Sequence, residues 1–158
     1  MKSKLSIAIV ILCIVGAIFS GISLRNHYST SPTGYCDLDE TFNCDLVNRS
    51  IYARFAGVPV ALIGLVGYLS LIALSFFSGR RVDIVRLLAS MGGLGFALHL
   101  AYIEARILAV WCLLCIASLI AIGGIFVLSA VAVWRNGRSR RADPPRTELS
   151  HDERPDEA

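Results

Sequence analysis

Four stretches of this chain are free of Asp, Glu, Lys and Arg, and they constrain the fold before any motif is considered. Leu5 to Leu24 runs for about 20 residues, Ala56 to Ser78 for about 23 and Ile107 to Trp134 for about 28, while the shorter Leu87 to Ile103 is broken only by His99. At about 1.5 Å per helical residue, each is near or above the length that crosses a hydrocarbon layer about 30 Å thick. With 55% hydrophobic residues in 158, the chain is too apolar for a water-soluble domain of that size. The expectation is an all-α membrane protein: a four-transmembrane-helix bundle over residues 1–134, then a tail over 135–158. That tail is basic from Arg135 to Arg141, turns acidic and Pro-rich, and reads as disordered and cytoplasmic.

The first stretch follows a positive start, Met1-Lys2-Ser3-Lys4, as a signal peptide would. Its apolar core is too long for one and no small-x-small cleavage site follows, so it reads as a retained helix. Leu12 stands where a lipoprotein cysteine would be preceded by a small residue, which leaves Cys13 as a small buried hydrophobe. Lys2 and Lys4 precede the first span, Arg80, Arg81 and Arg86 lie between the second and third, and Arg135, Arg138, Arg140 and Arg141 follow the fourth. The other two connections hold only Arg25, Arg49, Arg54 and Arg106. The positive-inside rule then puts both termini in the cytoplasm, and the loop from Arg25 to Phe55 and the turn Glu104-Ala105-Arg106 outside. In bacteria that outside is oxidising.

The chemistry-bearing residues fall on that outer side. Cys112 and Cys115 form a C-x-x-C inside the apolar run Ala109 to Ile116, a spacing that places both on one helix face. Neither a metal-spaced His/Cys cluster, a phosphate loop nor a nucleic-acid motif accompanies them. Cys36 and Cys44 bracket an acidic loop segment, spaced to close either a structural disulfide or a redox pair that a soluble partner can reach. After Cys44, the residues Leu46, Val47, Ile51 and Phe55 recur near helical spacing. They predict a short amphipathic helix capping the bundle, with Ser50 on it. His99 reads as a proton relay or a group facing the bundle cavity, or equally as a buried neutral histidine bonded to a backbone carbonyl. Glycines in the second, third and fourth spans read as packing positions, and Pro59 as a first-turn proline. Taken together, the two pairs form an electron relay: a partner dithiol reaches the loop pair, the loop pair reaches the C-x-x-C, and a lipid-soluble oxidant docks beside it.

Cys36-x7-Cys44, Ser50 six residues later, Gly57-Val58-Pro59, and Ala101-Tyr102-Ile103-Glu104 leading to Trp111-Cys112-Leu113-Leu114-Cys115 resemble, in this order, the bacterial form of the vitamin K epoxide reductase family, over residues 5–134. The resemblance implies a four-helix bundle around a quinone, menaquinone or ubiquinone. It also implies a thiol relay that oxidises a periplasmic thioredoxin-like protein and supports disulfide formation from the inner membrane. It makes Cys36 the partner-facing thiol, has Cys44 exchange with Cys112, gives Cys115 to the quinone and lets Ser50 orient the loop. Two positions depart from the pattern. Leu119 stands where vertebrate members carry a quinone-binding tyrosine, and the segment from Val60 to Gly64 offers no asparagine; both positions would line the quinone site, and both favour a quinone over an epoxide as acceptor. Many bacterial members also carry a fused thioredoxin-like domain; here the partner is expected to be a separate protein.

Two alternatives compete with that reading. A DsbB-type quinone-linked oxidase has its C-x-x-C early and its wide pair late, the reverse of this order. A non-enzymatic membrane scaffold with a structural disulfide would leave the C-x-x-C without a role.

Overall fold

The computed structural model describes residues 2–29, 41–77 and 79–142. Its long helices are α1 (Lys2–Tyr28), α3 (Val60–Ser75), α4 (Arg80–Ile103) and α5 (Leu113–Ala142), with a six-residue α2 (Cys44–Arg49) between the first two. Buried positions on α1 are Ile9, Cys13, Gly16, Ser20, Ser23 and Asn26, every three or four residues, while Ile7, Ile11, Ile14, Val15 and Ile18 face outward. Apart from Ile9, small and polar side chains inside with branched aliphatics outside is the reverse of a water-soluble helix and suits one surrounded by lipid. Three helical stretches, Lys4–Tyr28, Arg80–Leu108 and Leu113–Arg138, are long and apolar enough to cross a membrane. The apolar α3 has 16 residues.

Neighbouring helices run antiparallel, and glycines set how closely they approach. A Cβ on Gly16 would overlap the Tyr68 ring, and one on Gly64 would stand 3.0 Å from Ser20 Oγ, so α1 and α3 meet nearly backbone to side chain. Likewise Gly124 of α5 accommodates Leu12, and Gly93 of α4 accommodates Ile122. The core under these contacts is Ile9, Cys13, Tyr68, Leu71, Ile122 and Ile125. Contact between α3 and α4 is sparse by comparison.

The ends of the elements differ from the sequence expectation. α4 begins at Arg80, so Arg80, Arg81 and Arg86 lie on its first two turns rather than in a connection. Arg86, 4% exposed, pairs with Asp83, which also accepts a hydrogen bond from Asn136 Nδ2 at 2.6 Å. That bond, and Arg138 stacked 4.2 Å over the Trp134 ring, carry α5 to Ala142, so the expected tail boundary at residue 134 falls inside a helix. The tail beyond Ala142 and most of the outer loop, Cys36 included, lie outside the described residues. Glu104-Ala105-Arg106 is not a turn: Glu104–Leu108 continues α4 as a π-helix that ends where Ala109 takes a left-handed φ of 53°.

The predicted amphipathic helix also divides. α2 stops at Ser50, whose hydroxyl and N–H both donate to Val47 O. A 3-10 turn (Ile51–Ala53) follows, then a two-stranded hairpin, β1 (Arg54–Phe55) against β2 (Val58–Pro59). Its turn, Ala56-Gly57, has φ of 51° and 84°, the positive pair that a two-residue hairpin turn requires. Pro59 therefore precedes α3 as its N-cap instead of occupying its first turn. His99 faces outward from α4, beside the hairpin rather than toward the bundle interior.

Candidate active site

The outer connections converge at one end of the bundle. Phe42 and Trp111 form a parallel bridge in which Trp111 N–H donates to Thr41 O at 2.9 Å and Asn43 N–H to Trp111 O at 3.2 Å. Cys44 follows one strand of that bridge by two residues and Cys112 follows the other by one, so the pairing brings the two together. Their sulfurs lie 3.5 Å apart, and neither residue has any measurable exposure. Cys44 is disulfide-bonded, whereas Cys112, Cys115 and Cys13 are free thiols.

The C-x-x-C is built into a helix start. α5 begins at Leu113, and Cys112 O accepts the first helical bond from Ile116 N–H, so Cys112 is the N-cap residue. Its sulfur occupies the place of a serine or aspartate oxygen. The Cys115 thiol donates to it, as do the backbone N–H groups of Cys115 and Leu114. These donors hold the Cys112 thiol below the usual cysteine value, against burial and the nearby Glu104 carboxyl.

Val47, Val110 and Leu114 pack around the cysteines. Asn48 fixes α2 to α1: its Oδ1 accepts from Ser23 Oγ at 2.6 Å, its Nδ2 donates to Cys44 O at 2.9 Å, and its own carbonyl meets His27 Nδ1. Glu104, 3% exposed, accepts the Cys112 N–H on Oε2 at 3.1 Å and is hydrogen-bonded to the Cys115 thiol.

Below this cluster lies a cavity of about 460 Å³, within the range of small-molecule sites. Its wall is largely apolar, with Phe19, Ile63, Leu71, Phe96, Leu100 and Ile122, and its polar edge is formed by His27, Asn48, Ser50, Tyr68, Glu104, Cys115 and Ser118. Tyr68 Oη spans from α3 to α5, donating to Ser118 O at 2.8 Å beside Ser118 Oγ at 2.9 Å. A vitamin K epoxide reductase family model matches residues 7–130.

The chain belongs to the vitamin K epoxide reductase family. It is thereby a multi-pass membrane thiol oxidoreductase, in a family whose members are in general quinone-linked. Of the site residues read from sequence in this vitamin K epoxide reductase family protein, Cys44 and Cys112 are in contact, Cys115 and Ser50 line the cavity, and Cys36 lies outside the described residues. Of the two positions assigned to the quinone by resemblance, Val60 lines the cavity and Leu119 does not. Three and seven residues beyond Cys115, Ser118 and Ile122 take that helix face, which turns Leu119 aside. Sequence reasoning passed over Asn48, His27, Tyr68 and Glu104. The one available signal was that Glu104 closes the Ala-Tyr-Ile-Glu segment of the resemblance. Among the described residues, no group of three or more His, Cys, Asp or Glu could hold a metal.

Proposed function

We propose that the protein passes electrons from a periplasmic thioredoxin-like dithiol to a membrane quinone, menaquinone or ubiquinone, and so supports disulfide formation. The observation that carries this reading is the 3.5 Å approach of Cys112 Sγ to the disulfide-bonded Cys44. A thiolate at that separation needs little movement to attack.

Each step of the relay balances. The partner's dithiol reduces the Cys36–Cys44 disulfide and leaves oxidised. Cys44 thiolate attacks Cys112 of a Cys112–Cys115 disulfide and expels Cys115 as thiolate; Cys36 then attacks Cys44 and expels Cys112. The outer disulfide is restored and the inner pair is reduced, the cysteine state described above at Cys44, Cys112 and Cys115. A quinone in the cavity accepts two electrons and two protons from the inner pair. The residues suit such a group: apolar walls for a ring and its isoprenoid tail, and Ser118 Oγ at the polar edge as a donor for a carbonyl oxygen.

Lys4, Arg80, Arg81, Arg86, Arg135 and Arg138 all lie at the end of the bundle remote from Cys112, which supports cytoplasmic termini and periplasmic cysteines in the inner membrane. α3 is the fourth span in this reading: its 16 residues cover about 24 Å, and β2 and Phe76-Phe77 extend it at either end. Ser50, closing α2, holds the segment that carries Cys44.

Either Cys36 or Cys115 would resolve a Cys44–Cys112 disulfide, so the variant Cys36→Ala with Cys115→Ala leaves neither resolving thiol. After oxidation, peptide mapping should find Cys44 linked to Cys112. Finding both thiols unlinked would overturn the relay.

A further inference from the structure

Glu104 is a buried carboxyl in a membrane bundle, where ionisable side chains are rare. It stands at the start of the π-helical segment, 3% exposed, and lines the cavity. One carboxyl touches both members of the C-x-x-C, through the Cys112 N–H and the Cys115 thiol. No cation among the described residues forms an ion pair with it. Its hydrogen-bond partners are thus a backbone amide and a reacting thiol rather than a fixed counter-charge.

Oxidising the inner dithiol to a disulfide releases two electrons and two protons, and a quinone becoming a quinol takes up the same number. We infer that Glu104 is the catalytic acid–base of this step, a role that rests on the quinone-linked reading above. The carboxylate takes the Cys115 proton as that S–H bond breaks. The electron pair passes to the quinone as the Cys112–Cys115 bond forms, and the carboxyl returns its proton to a quinone oxygen. The second proton of the quinol balances the one that Cys112 gives up on ionising. The other titratable groups around the cavity are His27 of α1, Tyr52 of the outer connection and Tyr68 of α3. Tyr68 donates to Ser118 and His27 meets the Asn48 carbonyl, whereas the Glu104 carboxyl touches Cys115.

Glu104→Gln keeps an acceptor for the Cys112 N–H and removes the proton carrier. Reduction of a soluble ubiquinone analogue by the prereduced protein should slow about 100-fold, the usual scale of acid–base catalysis. A second readout needs no quinone: N-ethylmaleimide, a small electron-poor alkene, alkylates Cys115 in a Cys112→Ala background. With Glu104 present the rate should show a limb following a carboxyl ionisation, and adding Glu104→Gln should abolish that limb. Quinone reduction within twofold of wild type, or an unchanged alkylation profile, overturns the role. Wild-type protein that reduces no quinone sinks the quinone-linked reading, while the alkylation profile still decides whether Glu104 takes the proton. If Glu104→Gln does not fold, Glu104→Asp is decisive: a shorter carboxyl should keep the limb and slow quinone reduction at least about tenfold, and a wild-type rate would refute the assignment.

Discussion

At the scale of single residues, the site depends on one sulfur doing the work of a helix cap. Cys112 receives the Cys115 thiol and two backbone N–H groups, and they outweigh burial and the Glu104 charge. Its ionisation therefore falls below that of an ordinary cysteine, about 8.5, and its thiolate fraction at neutral pH is raised. Alkylation of Cys112 should accordingly climb with pH through an inflection below that of a free thiol. Cys115→Ala removes the largest stabilising contact, so the inflection should move up and the rate at neutral pH should drop; stopped-flow labelling across pH reads both. The cysteines themselves were legible in the sequence because their spacing is local. Asn48, Tyr68 and Glu104 were not, because what makes them notable is three-dimensional. Asn48 looks like any loop amide until Ser23 and the Cys44 carbonyl are beside it, and Tyr68 like any span aromatic until its hydroxyl meets Ser118.

At the scale of elements, the bridge between Phe42 and Trp111 does what no side chain does: it fixes the register of the outer loop against the start of α5. Each backbone bond is worth about 1 kcal/mol net, and the loss of one loosens the approach of Cys44 to Cys112. Trp111→Pro deletes the N–H that reaches Thr41 O. Internal disulfide exchange should slow on the order of tenfold, with Trp111→Phe, which keeps the N–H, close to wild type. Equal exchange rates in all three proteins would mean that the bridge positions nothing. Uncharged runs revealed the long helices because hydrocarbon excludes charge over their middles. Their ends were hidden for the same reason, since Arg80 to Arg86 and Arg135 to Arg138 remain helical where the headgroup region tolerates charge. Between Cys44 and Val60 the apolar spacing was misleading. Leu46, Val47, Ile51 and Phe55 mimic one helix, but Ser50 ends it and Ala56-Gly57 turns the chain back.

At the scale of the whole molecule, the fold sets the buried Cys44–Cys112 contact beside a largely apolar cavity that Cys115 lines. The inward row of small and polar residues on α1 and the glycine contacts at Tyr68 and Ser20 bring the helices close, yet the bundle still encloses about 460 Å³ directly below Cys115. Contact between α3 and α4 is sparse beside the hairpin. The most direct test is the stoichiometry of coupled turnover. Purified protein in lipid nanodiscs is given a reduced thioredoxin-like dithiol and a ubiquinone analogue without oxygen, and both products are counted. One disulfide should form for each quinol, with no coupled turnover in Cys44→Ser or Cys112→Ser. Quinol formed at the wild-type rate in either variant, or dithiol oxidised without quinol, would contradict the account.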